Sequence, residues 1–156
     1  MQVRNSQILE ILNLLSFFND KVTPFSYSLI KFKKKLQELG LEYDNNKISL
    51  IHKFATKKED GSLLLKDGKE FLENLNDLIF VSDNLKLSLL KELQELGNNI
   101  NEVDFQINLD EVYYDSRISQ LRSIENYINE NVPFNIIEFL ENNKILYESK
   151  NRSEDL

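Results

Sequence analysis

The sequence predicts a mainly α-helical protein with a small β element. The 156-residue chain has only four Gly and two Pro to interrupt helices. Apolar residues recur at helical spacing through most of it, and one short segment alternates between apolar and polar residues. We therefore expect packed helix hairpins plus one short strand or hairpin. Residues 1–147 are predicted to form a single domain, and residues 148–156 a polar, flexible tail.

The first predicted helix begins near the N-terminus. Asn5 or Ser6 can cap it, and its apolar residues lie three or four positions apart: Ile8, Ile11, Leu12, Leu15 and Phe18. After a short break, Thr23 can cap a second helix, with Pro24 at its first position.

The second helix has the clearest periodicity in the chain. We call its apolar residues the stripe: Phe25, Leu29, Phe32, Leu36, Leu39 and Tyr43. Such a stripe needs a partner helix, and it could form a homo-oligomer. The sequence does not decide whether Phe25–Ala55 is one helix or two.

The middle of the chain begins with a predicted turn at Asp60-Gly61, followed by a short hairpin arm over Ser62–Gly68. A helix is expected to restart near Lys69, with an apolar face that we assign to Phe71, Leu72, Leu75, Leu78 and Ile79. Ser82 or Asp83 can cap the next helix, and Gly97 can end it.

The segment from Val103 to Leu109 alternates apolar and polar residues and predicts a strand buried on one face. Asp115 or Ser116 is then expected to open a helix with Ile118, Leu121, Ile124, Tyr127 and Ile128. Pro133 begins a last helix. We cannot tell from the sequence whether residues 79–102 and 132–147 form a binding face.

Charge is distributed unevenly in a chain whose net charge is −7. Lysines concentrate between Lys31 and Lys58, whereas acidic residues dominate the C-terminal half. The basic-patch candidates are Lys31, Lys33, Lys34 and Lys35. The candidates for a protein interface combine aromatic and acidic residues: Tyr113, Tyr114, Phe134, Glu138, Glu141, Tyr147 and Glu148. Because the basic cluster lacks Arg and the chain is acidic, we do not expect nucleic-acid binding.

No set of residues with catalytic spacing is visible. Cys is absent and His52 is the only histidine, without a motif around it. Four carboxylates near the predicted strand could serve acid–base chemistry or Mg²⁺, but capping explains them better: Asp104, Asp110, Glu111 and Asp115. We therefore predict a non-enzyme with no catalytic residue, cofactor or metal.

No run approaches the roughly 18 apolar residues that a membrane helix needs, and the start of the chain lacks signal-peptide features. We expect no membrane association and a cytoplasmic location in a host cell.

Several short motifs occur in a familiar order. They are Val3-Arg4-Asn5-Ser6-Gln7-Ile8, the basic helix Pro24–Leu39, Lys53-Phe54-Ala55, Val103-Asp104, Ile107-Asn108-Leu109-Asp110-Glu111 and Ser119-Gln120-Leu121. Together they resemble a family of small uncharacterised phage and prophage proteins of Gram-positive bacteria, a domain of unknown function. The resemblance implies a phage origin and no functional residue.

These observations favour a non-enzymatic, phage-encoded accessory protein that binds another protein. The expected partner is a host protein, and the target could be a defence system such as a CRISPR nuclease. One alternative is a virion-associated or assembly component that forms an oligomer through the stripe. A further alternative is a helical nucleic-acid-binding protein that uses the basic patch.

Overall fold

The computed structural model describes residues 1–149. Within them, the helices are α1 (Ile8–Leu15), α2 (Ser26–Phe54), α3 (Asp83–Asn98), α4 (Ile124–Asn131) and α5 (Phe134–Asn142). The strands are β1 (Gln2–Arg4), β2 (Ile100–Glu102), β3 (Ile107–Asn108), β4 (Val112–Asp115), β5 (Gln120–Ser123) and β6 (Leu146–Tyr147). The strands pair as β1–β2, β3–β6 and β4–β5. The predicted fold class, mainly α with a small β element, is confirmed. Most of the predicted tail, residues 150–156, lies outside the described residues.

The chain forms two compact units. Among the described residues, the first unit comprises Met1–Val3, Gln7–Glu38 and residues 101–149, and the second comprises Arg4–Ser6 and Leu39–Ile100. No linker-like composition marks the boundary near residue 38, because it falls within α2.

Helix α2 is one helix of 29 residues. It begins at Ser26, whose hydroxyl donates to the Thr23 carbonyl at 2.7 Å and accepts from the Thr23 amide at 3.1 Å. Thr23 therefore lies in the turn that starts the helix, but Pro24 precedes the first helical residue. Four stripe residues are buried within the chain: Phe25, Leu29, Phe32 and Leu36. The other two stripe residues, Leu39 and Tyr43, are partly buried.

Helix α1 also differs at its start from the prediction. A 3₁₀ turn over Asn5–Gln7 precedes it, and Gln7 occupies the N-cap position without a capping hydrogen bond from its side chain. The Asn5 side-chain amide donates to the Leu96 carbonyl at 2.8 Å, and the N-cap position falls at Gln7 rather than at either predicted residue. The predicted apolar face is confirmed, since Ile8, Ile11 and Leu15 are buried.

Edge-to-face aromatic contacts run through the first unit. The Phe18 ring lies 5.7 Å from Phe25, Phe25 lies 5.9 Å from Tyr127, and Tyr127 lies 6.0 Å from Tyr113, measured between ring centroids. These contacts join the 3₁₀ turn that follows α1, the residue before α2, α4 and β4. Aromatic pairs in this geometry each contribute about 0.5–1.5 kcal/mol beyond burial.

The alternating segment from Val103 to Leu109 is not one continuous strand. Val103, Phe105 and Ile107 are buried as predicted, but residues 103–106 form no ladder. The Val103 amide donates to the Met1 carbonyl at 2.9 Å, and the Ile107 amide donates to Ile145 at 2.8 Å. Two different neighbours thus satisfy the backbone at the two ends. Periodicity reports which side chains are buried, not which backbone groups pair.

Residues 112–123 form a hairpin, so the helix predicted from Asp115 or Ser116 is wrong at its start. The Asp115 carboxylate accepts from the Arg117 amide at 3.0 Å, and its carbonyl accepts from Ile118 at 3.3 Å. These bonds close a turn that returns the chain into β5. The helix begins instead at Ile124, where the Ser123 hydroxyl accepts from the Asn126 amide at 3.2 Å. The last helix follows Pro133 as predicted.

The second unit has its own small core. Ile51, Ala55, Leu65, Leu78 and Leu89 pack together, with partly buried apolar neighbours around them. The Asp60-Gly61 turn is confirmed. Gly61 has a positive φ of 88°, and the Lys58 amide donates to the Ser62 carbonyl at 2.7 Å.

The helix predicted near Lys69 is absent. Residues 69–82 are irregular apart from a short 3₁₀ turn over Leu75–Asp77. Leu78 forms a bridge with Leu65, and the Thr56 amide donates to the Ile79 carbonyl at 2.8 Å. Because these pairings hold the segment extended, tertiary contacts override its helical spacing. Ser82 caps α3 as predicted, but α3 continues through Gly97 rather than ending there.

Candidate functional site

The β4–β5 hairpin has two chemically different faces. Directly opposed residues of an antiparallel pair share a face, and successive residues alternate. The register pairs Val112 with Ser123, Tyr113 with Arg122, Tyr114 with Leu121 and Asp115 with Gln120. One face, which we call the inner face, carries Tyr113, Asp115 and Arg122. The other, the outer face, carries Val112, Tyr114 and Leu121.

The inner face is held by a network of ion pairs. Asp115 is only 5% exposed and accepts from the Arg117 guanidinium through both carboxylate oxygens at 3.2 Å. The Arg122 guanidinium lies 3.8 Å from the same carboxylate. Its two terminal nitrogens each donate a hydrogen bond to the Glu130 carboxylate on α4. This two-pronged contact fixes β5 against α4.

The network shifts the acidity of its members. The hydrogen bond from Arg117 lowers the pKa of Asp115 below its ordinary value near 3.8, although desolvation opposes the shift. The hydrogen bond from Arg122 likewise lowers the pKa of Glu130. Burial raises the pKa of Tyr127. Both carboxylates are therefore charged and occupied by arginine at neutral pH, which makes neither of them suited to proton transfer.

One hydroxyl on the inner face lacks a partner. The Tyr113 hydroxyl is buried and has no hydrogen-bond partner within residues 1–149. Its ring packs edge to face on Tyr127. An unpaired buried hydroxyl typically costs about 1–3 kcal/mol.

The outer face is apolar and exposed. Val112, Tyr114 and Leu121 are 60%, 63% and 69% exposed. Tyr114 and Leu121 form a cross-strand pair, so their side chains stand next to each other. The hairpin therefore presents a small apolar surface on an element that the opposite face holds in place.

An open groove of about 640 Å³ lies beside the hairpin. Residues from the turn before α2, from β4 and its following turn, and from α4 line it, among them Lys21, Val22, Tyr113, Tyr114, Arg117 and Tyr127. Tyr114 is common to the groove and the outer face. The groove residues come from distant parts of the sequence, and the basic residues Lys21 and Arg117 were not among the predicted candidates.

The predicted interface candidates are distributed over three places: β4, α5 and the segment around β6. Tyr113 and Tyr114 lie on opposite faces of β4, and Tyr113 is mostly turned inward. Phe134, Glu138 and Glu141 are exposed and share one face of α5, because they are spaced by four and three residues. Tyr147 is partly buried in β6, and Glu148 is exposed.

The basic-patch candidates all lie on α2. Lys31, Lys34 and Lys35 are exposed on one side of the helix. Lys33 is half-buried and donates to the Asn19 side chain at 2.8 Å. Burial lowers the pKa of Lys33. The Lys31 ammonium lies over the Tyr27 ring, 5.1 Å from its centroid, so two of the four lysines make contacts with other side chains.

The carboxylates considered above as candidates for acid–base chemistry or Mg²⁺ binding have different contacts. Asp115 joins the arginine network, whereas Asp110 accepts from the Ser149 hydroxyl at 3.1 Å. His52 is partly buried on α2. Within residues 1–149, no group of three His, Asp or Glu side chains is placed to hold a metal ion.

None of the helices described by the structure is both long enough and apolar enough to span a membrane. The fold and the hairpin define a mainly α protein with an exposed apolar hairpin face beside a tyrosine-lined groove. No protein-family model, curated protein or solved structure matches the chain.

Proposed function

We propose that this protein acts by binding another protein through the outer face of the β4–β5 hairpin. The observation that supports the proposal is the exposed cross-strand pair Tyr114–Leu121 on a hairpin whose inner face is fixed by Asp115, Arg122 and their partners. A large aromatic side chain on a rigid element loses little conformational entropy on binding, which is why tyrosines are common among energetically dominant interface residues.

The test is affinity capture of partner proteins from a lysate of a Gram-positive bacterium, followed by measurement of the dissociation constant for the captured protein. Tyr114→Ala should weaken binding by about 2 kcal/mol, or roughly thirtyfold. Leu121→Ala should also weaken it. Because both side chains are exposed, neither change should reduce the cooperativity of unfolding.

A matched control is available on α1. Leu9 and Leu121 are each 69% exposed, so Leu9→Ala removes the same side chain from a different apolar position. Equal losses of binding in Leu9→Ala and Leu121→Ala would mean that the hairpin has no special role.

A second variant separates the hairpin from the acidic face of α5. Reversing Glu138 and Glu141 to Lys tests the interface that charge patterning predicts. If this variant loses binding while Tyr114→Ala retains it, the contact lies on α5 and the proposed hairpin contact is wrong.

The biological setting stays a prediction. A phage origin rests on the sequence resemblance, and a host protein as partner and a defence system as target rest on size, charge distribution and aromatic content. The identity of the captured protein is the measurement that bears on them. Stoichiometry by light scattering addresses the assembly alternative.

A further inference from the structure

The groove beside the hairpin differs in charge from the chain around it. Its charged lining residues are Lys21, Asp115 and Arg117. Asp115 is buried and both of its oxygens accept from Arg117, so the carboxylate is neutralised. The exposed charge at the groove is therefore positive, in a chain whose net charge is −7.

The two basic side chains retain unused hydrogen-bond donors. Arg117 contacts Asp115 through two of its nitrogens while its side chain remains 67% exposed. The Lys21 ammonium lies over the Phe17 ring, 4.6 Å from its centroid, and has no carboxylate within 4.0 Å among residues 1–149. A cation–π contact leaves the outward side of an ammonium open to an anion.

The rest of the lining is suited to a peptide. Tyr113, Tyr114 and Tyr127 supply its aromatic walls. Pockets for small molecules enclose most of the ligand surface, whereas this groove is partly open to solvent. Tyr114 joins it to the outer face, so a chain segment lying in the groove would continue onto the proposed contact surface.

We propose that the groove binds an acidic peptide segment, with a carboxylate between Lys21 and Arg117 and neighbouring apolar residues against Tyr114. This inference rests on the proposed protein-binding function and specifies the chemistry of the partner. A carboxylate carries a single negative charge, which matches the net single positive charge of Lys21, Asp115 and Arg117.

Selection from a random peptide library displayed on a surface tests the chemistry without knowledge of the natural partner. Peptides selected on the wild-type chain should be enriched in Asp and Glu relative to the starting library. The same selection on Lys21→Glu should lose this enrichment. Lys34→Glu is the matched control, since Lys34 is an exposed lysine of α2 outside the groove lining, and it should select acidic peptides as the wild type does.

The affinity of a selected peptide and the amide signals that it shifts complete the test. A selected acidic peptide should shift the amide signals of Lys21, Tyr114 and Arg117 saturably. Lys21→Gln should weaken binding of the peptide about fivefold, whereas Lys21→Arg should retain most of the affinity. A version of the peptide with Gln in place of Glu should bind at least fivefold more weakly.

Several results would overturn the inference. They are recovery of no peptides, recovery of peptides without acidic enrichment, or amide shifts on α2 around Lys31–Lys35 instead of the groove. These failures are distinguishable from failure of the proposed function. If Tyr114→Ala abolishes capture of the natural partner while Lys21→Glu does not, the hairpin contact stands and the acidic-peptide inference is wrong.

Discussion

Phe32 of α2 and Phe105 stack with their ring centroids 4.2 Å apart and their planes 6° from parallel. Both side chains are buried in the first unit. Phe105 lies in the middle of the alternating segment that the sequence predicts as a strand, at a point where no ladder forms. Side-chain stacking, rather than strand pairing, holds this part of the segment against α2.

This stack predicts energetic coupling between the two rings. Phe32→Leu and Phe105→Leu should each reduce the free energy of unfolding by about 1–2 kcal/mol, because leucine retains apolar volume but loses the ring contact. In the double variant, the loss in free energy of unfolding should be about 1 kcal/mol smaller than the sum of the losses in the two single variants. Urea unfolding of the full chain measures all three values. Strictly additive costs would show that the rings contribute only through burial.

Asp115 predicts an acid-dependent contribution to stability. Its pKa is lower in the folded chain than in the unfolded one, where it is near 3.8. The stabilisation is therefore complete above that value and is lost as the pH falls through the lower, folded-state pKa. Asp115→Asn should be less stable than the wild type at neutral pH, and the two unfolding curves should converge in strong acid.

Denaturant titrations at neutral pH and well below pH 3.8 measure this convergence. Asp104→Asn is the control, because Asp104 is exposed and forms no ion pair within residues 1–149. A constant difference between Asp115→Asn and the wild type at all pH values would contradict an ionic role for the carboxylate.

In the second unit, the position of Gly97 predicts that a side chain placed there is energetically coupled to the Tyr43 hydroxyl. A Cβ at this position would lie 3.2 Å from the Tyr43 hydroxyl and 3.6 Å from the Ser6 Cβ. Alanine gains about 1 kcal/mol of helix propensity over glycine inside a helix, but the close hydroxyl opposes that gain. We expect Gly97→Ala to stabilise α3 more in a Tyr43→Phe background than in the wild type.

Thermal unfolding is measured for the wild type, the two single variants and the double variant. The comparison gives the effect of Gly97→Ala on stability with and without the Tyr43 hydroxyl. Gly97→Leu serves as the opposite limit and should destabilise by about 1–3 kcal/mol through overpacking. If Gly97→Ala raises the stability equally in the wild-type and Tyr43→Phe backgrounds, the Tyr43 hydroxyl does not restrict side-chain size at position 97.

Ser123 predicts a capping effect on α4. Its hydroxyl accepts from the Asn126 amide, so Ser123→Ala should lower the free energy of unfolding by about 1 kcal/mol. Ser123→Asp keeps an acceptor and adds a charge that suits a helix N-terminus, and it should restore the stability. Equal losses in both variants would assign the effect to the hairpin position of Ser123 rather than to capping.

The sequence by itself determined the fold class, the stripe of α2, the apolar face of α1, the Ser82 cap, the Asp60-Gly61 turn and the last helix after Pro133. These features depend on local rules, since side-chain periodicity, capping oxygens and positive-φ glycines act within a few residues. Tertiary structure decided the rest. The segment from Lys69 has helical spacing but is held extended by the Leu65–Leu78 bridge, and residues 112–123 fold back because Asp115 closes the turn at Arg117. The candidate site depends on Lys21, Tyr114 and Arg117, which only the folded chain brings to one groove. Nothing local distinguishes Lys21 or Arg117 from other surface cations, because their shared environment is created by contacts between residues far apart in the sequence.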